Sequence, residues 1–458
     1  MDENKINKYV IIMAILSSFT VAFTSNAISV ALPMIGSEFH LSNILQNWIV
    51  NIYLLIIAAV GVPLGRVASK YGLNRTLRIG IIIYIIGAVL SGIAMNIEFL
   101  FASRIIQAIG SAVLFVNVMS IITQQIPPQK RGQAIGLNVT GVYIGLSLAP
   151  TVSGIIVHNM TWRIIFYITI PLAIIAYYLL YAVKKEWITD PHASLDIKGS
   201  LLFIAAMIVL MYGFTILNET LGVILVIISL LMFVVFAKYE LNYTHPIYEI
   251  RLFKNKTYTA SNIASLISYF ATFVVIYILN YHFQYIQGLD SQTTGIILII
   301  TPLLMAIVSP ISGRISDKVI PQIIAAIGMV LVTIAMFIFI FIDTVPFYAI
   351  IVAMILQGVG FGLFSSPNNN VIMSSVDKKY AATASASLST VRTVGQSFSL
   401  GLLSLIFAFI MGNVPIVPAN YPLLIESSQV TMIISTILCI IAVVLSLSGF
   451  KHAKVDEN

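Results

Sequence analysis

The number and length of the apolar segments constrain this chain more than any other feature. Fourteen can be marked, at roughly 9–32, 45–65, 77–96, 98–122, 133–157, 163–183, 199–217, 221–238, 258–280, 292–312, 322–342, 346–373, 382–411 and 428–449. Each is near the ~20 residues an α-helix needs to cross the hydrocarbon core of a bilayer. Lipid offers no hydrogen bonds, so every backbone N–H and C=O must be satisfied inside the segment, and an apolar run of this length does that as a helix. Charged residues make up 9% of the chain, against about 25% in soluble domains, which excludes a soluble globule. The expected fold is all-α and polytopic. The first segment is too long for a signal-peptide core and lacks a small-residue cleavage site, so it is read as a retained span.

The net charge of +7 would suggest nucleic acid in a soluble protein; here its distribution gives a different reading. Loops after even-numbered segments carry Arg66, Lys70, Arg75, Arg78, Lys130, Arg131, Lys184, Lys185, Lys198, Lys238, Arg251, Lys254, Lys256, Arg314, Lys318, Lys378 and Lys379. Loops after odd-numbered segments carry almost none. By the positive-inside rule the basic loops face the cytoplasm. Both termini, with Lys5, Lys8, Lys451 and Lys454, join them, as an even count requires. Only Arg104, Arg163 and Arg392 of the 24 basic residues break the pattern. The expectation is a multi-pass protein of the plasma membrane with no nucleic-acid partner and no evident obligate protein partner. Cys439 is the only cysteine, and the six histidines, His40, His158, His192, His245, His282 and His452, show no ligand spacing, so neither a disulfide nor a metal centre is expected. No cofactor is called for.

Gly141, Gly145, Ala149 and Ser153 recur every four residues, which on a helix makes one smooth face for a close neighbour. Pro150 lies within that stretch and should bend the helix. Such a helix suits either a moving interface or ordinary close packing. The chain also repeats itself. Gly65-Arg66-Val67-Ala68-Ser69-Lys70 recurs as Gly313-Arg314-Ile315-Ser316-Asp317-Lys318, an offset of 248, and Gln107-Ala108-Ile109-Gly110 as Gln357-Gly358-Val359-Gly360, an offset of 250. This divides the chain into a six-helix unit at 1–184, an inserted helix pair with its flanks at 185–256, and a second six-helix unit at 257–458. Repeated halves around a central cavity are a transporter architecture.

The spacing of Gly136, Gly145, Ala149-Pro150 and Ser153-Gly154 resembles the helix-five antiporter signature of drug-exporting members of the major facilitator superfamily, which more often have Gly-Pro and Gly-Gly at the last two places. Trp162-Arg163-xx-Phe166 with Pro171 is similar to the opening of helix six in that superfamily's fourteen-helix drug:proton antiporter branch. Further resemblances run along the chain: Asn26 to Pro33, Trp48 to Leu54, Gly65 to Arg75 with Gly72, Arg104-xx-Gln107-xx-Gly110, Asp196 to Gly199, His245 to Ile247 with Arg251 to Asn255, and Gln284 to Gly288 with Gly295 to Pro302. The resemblance implies the major facilitator fold with fourteen transmembrane helices arranged six, two, six. It also implies alternating access, with conformational roles for Gly65, Arg66, Gly72, Arg75, Gly141, Gly145, Ala149, Pro150, Ser153, Gly154, Gly313, Asp317 and Lys318. Two departures matter. Ser69 stands where the family has an acid, and a hydroxyl can cap a helix start but cannot carry the charge. Thr24 stands where first-helix acids occur.

None of the seventeen Asp and Glu residues falls near a predicted bilayer midplane; the nearest, Glu98 and Glu219, sit at outer helix ends. Exporters of cationic drugs are expected to carry such an acid. Arg104 lies about two turns into its segment, where an arginine costs roughly 2.5 kcal/mol or more unless paired or hydrated. It is expected to line the cavity, with Arg392 as a second cation, which favours neutral or anionic substrates. Asn26, Asn51, Gln107, Asn117, Gln284, Asn368 and Gln396 supply amides, and Tyr53, Tyr143, Tyr269 and Tyr277 aromatic walls. The glycines from Gly358 to Gly362 with Pro367 suggest a broken helix. No GxxxxGK[ST] signature appears, so energy comes from a gradient. The expectation is a non-enzymatic exporter of small amphipathic compounds working by proton antiport, in which helix five slides on helix ten along the Gly141 to Ser153 face. Its rivals are a facilitator or importer of a neutral or anionic metabolite, and a polytopic membrane enzyme or sensor.

Overall fold

The protein is described by a computed structural model that covers every residue except Met1, Ser42, 191–194, Asn218, His245, 413–417 and 454–458. His192, His245 and Lys454 therefore lie outside the described residues. Among the described residues the chain is helical, with no strand. Fourteen helices among the described residues are long and apolar enough to cross a membrane. They are spans 1 (Glu3–Ala31), 2 (Trp48–Tyr71), 3 (Leu73–Gly92), 4 (Ile97–Gln125), 5 (Pro128–Val157), 6 (Ile164–Ala182), 7 (Ile197–Phe214), 8 (Thr220–Asn242), 9 (Lys256–Ile286), 10 (Thr293–Ser316), 11 (Pro321–Ile340), 12 (Phe347–Ser374), 13 (Lys378–Ile410) and 14 (Pro418–Leu447). Each expected segment has its helix.

The ends are set by local chemistry. The side chains of Asn96, Asp196 and Asn255 accept the N–H groups of Phe99, Gly199 and Tyr258, starting spans 4, 7 and 9; such caps are worth about 1 kcal/mol each. Pro128 and Pro321 open spans 5 and 11, where a missing N–H costs nothing. Spans 2 and 3 are separated by Gly72 alone, at φ +102°, a conformation that L side chains rarely adopt.

Spans 1 to 6 pack among themselves, as do spans 9 to 14, and the two sets meet through spans 2, 4 and 5 on one side and 10, 12 and 13 on the other. The hairpin of spans 7 and 8 leans on spans 2 and 13. Small residues decide the closest approaches. A Cβ on Gly110 would lie 2.4 Å from the backbone N of Tyr84, seating span 4 on span 3; one on Gly360 would lie 2.6 Å from the Gly328 carbonyl oxygen, seating span 12 on span 11. The repeated sequence thus does the same packing job twice.

Two helical expectations change here. Span 12 is one unbroken helix through Pro367. Its glycines are contact points, since a Cβ on Gly358 would lie 2.7 Å from the Thr301 carbonyl oxygen and one on Gly362 2.8 Å from Val308. The Gly141 and Gly145 face, expected to slide on span 10, instead receives span 1: added Cβ atoms would lie 2.6 Å from the Ile15 carbonyl oxygen and 2.7 Å from that of Phe19. Span 10 is met on another face, by Gly132 and Gly136 and by Thr140, whose hydroxyl donates to the Ala306 carbonyl at 2.9 Å. Span 5 is helical through Pro150, with Ala149 and Ser153 fully buried.

Candidate functional site

A cavity of 960 Å³ lies between the two sets of spans. It is lined by Asn26 from span 1, Tyr143, Pro150 and Gly154 from span 5, Tyr269, Phe273, Tyr277 and Asn280 from span 9, Gln357 and Phe361 from span 12, and Arg392 and Gln396 from span 13, with Thr301 and apolar residues of span 10. Its lining comes from the halves of these spans remote from the chain termini. At the other end, where Arg66, Lys130, Arg131, Arg314 and Lys378 gather, the sets are in contact. Gln124 donates to the Lys378 carbonyl at 2.6 Å, and the Ser120 hydroxyl donates to the Ala381 carbonyl at 3.2 Å. Gly132 and Gly313 meet backbone to backbone; a Cβ on either would lie 2.4 Å or less from the other's carbonyl oxygen. Asp317 accepts the N–H groups of Gly132 at 2.7 Å and Gln133 at 2.9 Å, tying spans 10 and 5 together. Burial pushes the Asp317 carboxyl above its usual range, opposed by those two N–H groups and the Arg131 charge.

Among the described residues Arg392 is the one charged side chain in the cavity lining. Its guanidinium lies 5.2 Å from the Phe115 ring centre and 5.6 Å from that of Tyr269. No carboxylate among the described residues pairs with it. Edge-on contacts link Tyr143 to Phe361 at 6.4 Å and Phe361 to Tyr269 at 5.4 Å, making a continuous aromatic wall beside it. Ring faces, a planar cation and the amides of Asn26, Gln357 and Gln396 suit a flat molecule with hydrogen-bond acceptors along one edge.

Arg104 is not in this cavity. It is fully buried within the first set of spans, its guanidinium 4.2 Å from the Tyr53 ring centre and 2.7 Å from the Gln107 amide oxygen. The aromatic face and the Ile49 carbonyl, at 3.4 Å, stand in for an anion. Tyr53 and Gln107 belong to the same cluster, with the Tyr53 hydroxyl donating to Ser111 at 2.7 Å. Asn117 is buried, and Asn368 is spent on the Ser261 carbonyl and the Ser265 hydroxyl. Gln284 donates to the Asn280 amide oxygen, and neither it nor Asn51 lines the cavity. Asn26, Tyr143, Tyr269, Tyr277, Arg392 and Gln396 do. Phe361 and Thr301 were not singled out from the sequence, because an apolar or hydroxyl side chain in a span carries no signal of which way it faces.

The expected conformational residues divide likewise. Arg66 pairs with Asp190 at 3.0 Å, and Glu186 accepts the N–H groups of Asn74 and Arg75 at 2.8 and 3.1 Å, so the segment after span 6 closes over the loop between spans 2 and 3. Ser69 does not cap a helix: its hydroxyl turns back to the Gly65 carbonyl at 3.1 Å. At the remote end Glu38 holds span 6, accepting from Arg163 at 2.6 Å and from the Trp162 indole at 2.7 Å. The Arg163 hydrogen bond keeps the Glu38 carboxyl below the usual carboxylate range.

Two packed sets of membrane-spanning helices, in contact at one end and parted around a cavity at the other, define a transporter. The chain belongs to the major facilitator superfamily, which it matches over residues 14–400 and again over 261–453. It is 29% identical over 394 residues to the riboflavin transporter RibZ of Clostridioides difficile (strain 630), covering 86% of each chain. It is 24% identical over 400 residues to the multidrug resistance protein Stp of Mycobacterium tuberculosis (strain ATCC 25618 / H37Rv), covering 86% of this chain and 74% of that one. The fold superimposes on the proton:xylose symporter XylE with a TM-score of 0.69 at 16% identity, over 97% of this chain and 95% of that one.

Proposed function

We propose that this protein carries flat, acceptor-rich or anionic aromatic molecules across the plasma membrane by alternating access. Its two six-span units, 1–184 and 257–458, rock about the cavity, and both termini face the cytoplasm. The observation that carries this reading is Arg392, a cation with no acid beside it in an aromatic cavity. An arginine fork in that setting attracts a carboxylate, enolate or carbonyl-rich ring edge and repels organic cations. The relation to RibZ makes riboflavin the first compound to test. Under this reading the basic, closed end is cytoplasmic and the cavity opens outward.

Export of drugs by proton antiport is the second reading, supported by the relation to Stp; against it stands a lining that, among the described residues, has no Asp, Glu or His. Purified protein in proteoliposomes separates the two. Under the first reading riboflavin movement is saturable, falls at least about tenfold in Arg392→Ala, and is partly retained in Arg392→Lys. Transport of a cationic dye that is driven by an imposed pH gradient and unchanged in Arg392→Ala would reject it.

A further inference from the structure

Away from the cavity, the carboxyl groups of Asp196 and Glu240 meet at the base of the hairpin formed by spans 7 and 8. Asp196 Oδ1 accepts the Gly199 N–H at 2.9 Å and the Tyr239 hydroxyl at 3.1 Å. Glu240, which the sequence placed in a loop, sits in the last turn of span 8 and accepts the Tyr248 N–H on Oε2 at 3.1 Å. Both residues are 2% exposed. The remaining oxygen of each, Asp196 Oδ2 and Glu240 Oε1, has no donor. These two oxygens come from opposite legs of the hairpin and converge on one spot, for a Cβ on Gly199 would lie 2.5 Å from the first and 2.2 Å from the second.

Two carboxylate oxygens can only accept hydrogen bonds, and two buried anions at that range repel. Among the described residues no nearby cation offsets them. Lys198 and Lys238 are exposed, Arg251 is engaged with Glu249 and the Leu241 carbonyl, and Arg66 on span 2 is paired with Asp190. The other described side chains around the site, Tyr239, Tyr243, Tyr248 and Tyr258, are phenols, which cannot carry a positive charge.

We propose that Asp196 and Glu240 together bind one proton, held between Oδ2 and Oε1, and that this proton fastens the hairpin to the moving spans. Glu240 Oε2 holds the backbone of Tyr248, whose hydroxyl donates to Ser387 on span 13 at 2.8 Å, and Ser387 in turn donates to Asn262 on span 9 at 2.8 Å. Span 13 is the helix that carries Arg392. Span 7 touches both sets of spans, Met211 packing with Leu55 and Ala58 of span 2 and Phe214 stacking on Phe398 of span 13 at 4.0 Å. Loss of the proton leaves like charges on the two legs and loosens that strap, so transport responds to pH on the basic-loop side although the described cavity lining holds no acid.

Infrared spectroscopy of the full-length protein in lipid nanodiscs tests this. At neutral pH the wild type should show a protonated-carboxyl C=O stretch that shifts on hydrogen–deuterium exchange, and both Glu240→Gln and Asp196→Asn should remove it. Each amide still donates across the gap, so both variants should keep the wild-type Tm, and their transport rates should stay constant over the pH range in which the wild type slows. The wild-type spectrum is informative even if a variant folds poorly: a missing band at neutral pH overturns the proposal. So does a band that persists in both variants. A Tm raised by Mg²⁺ or Ca²⁺ in the wild type but not in Glu240→Gln also overturns it, making the site a cation site.

Discussion

Replacing Gly313 with alanine adds one methyl group at the point where spans 10 and 5 touch. That carbon would sit 2.2 Å from the Gly132 carbonyl oxygen and 2.9 Å from the Gly132 carbonyl carbon. The Ser366 hydroxyl, at 2.8 Å, can rotate away, but the Gly132 atoms are backbone in a helix, so no side-chain rotation relieves that clash, and the two spans must part by about 1 Å to restore ordinary contact. Overpacking of this kind costs about 1–3 kcal/mol. The cost falls only on the conformation in which this end is closed, so the balance should move towards the state open at this end by about 5-fold to about 150-fold. Spin labels at Gln124 and Lys378, whose groups touch across the same end, would report the change as a longer distance in pulsed electron resonance, in a background where buried Cys439 is replaced by serine. Gly295→Ala, whose added carbon meets nothing within 4 Å, is the control. An unchanged distance distribution in Gly313→Ala, or an equal change in the control, would refute the claim that this contact is part of the gate.

Asp317→Asn keeps the shape but cannot accept two N–H groups as a carboxylate does; discounted for its partial exposure, the loss should be about 1–2 kcal/mol, read as a shift of about 5- to 30-fold in the populations that the same label pair reports. Gly145→Leu drives its side chain into the backbone of span 1, inside one set of spans, so it should lower the Tm of the purified protein and its yield; normal stability with transport lost would restore a sliding role. At the remote end, the Glu38 clamp contributes stability above the unfolded carboxylate pKa and loses it as pH falls through the depressed folded value. The wild-type Tm should therefore hold down to the ordinary carboxylate range and drop below it. Glu38→Gln should lower the Tm at neutral pH and flatten that acid limb; a Tm and acid limb identical to wild type would show that the clamp contributes nothing.

The basic-loop alternation, the span count and the repeated motifs were legible because each is a local property. A segment of about 20 residues partitions into lipid on its own composition, and loop charge orients it without reference to its neighbours. Helix starts at Asn96, Asp196 and Asn255 are local in the same sense. Which side of a span meets which neighbour is not. Arg104 and Arg392 look alike in sequence, yet one is sealed against Tyr53 and the other stands in the cavity. The Gly141 face looked like a gate and holds span 1, while Gly132, Gly136 and Thr140, spaced four apart on a neighbouring face of the same helix, meet span 10. The reason is physical: lipid tails are as apolar as a protein interior, so a membrane helix shows no contrast between its buried and exposed sides. Its rotation is decided by shape and by hydrogen-bond partners on other helices, and only the assembled bundle supplies those.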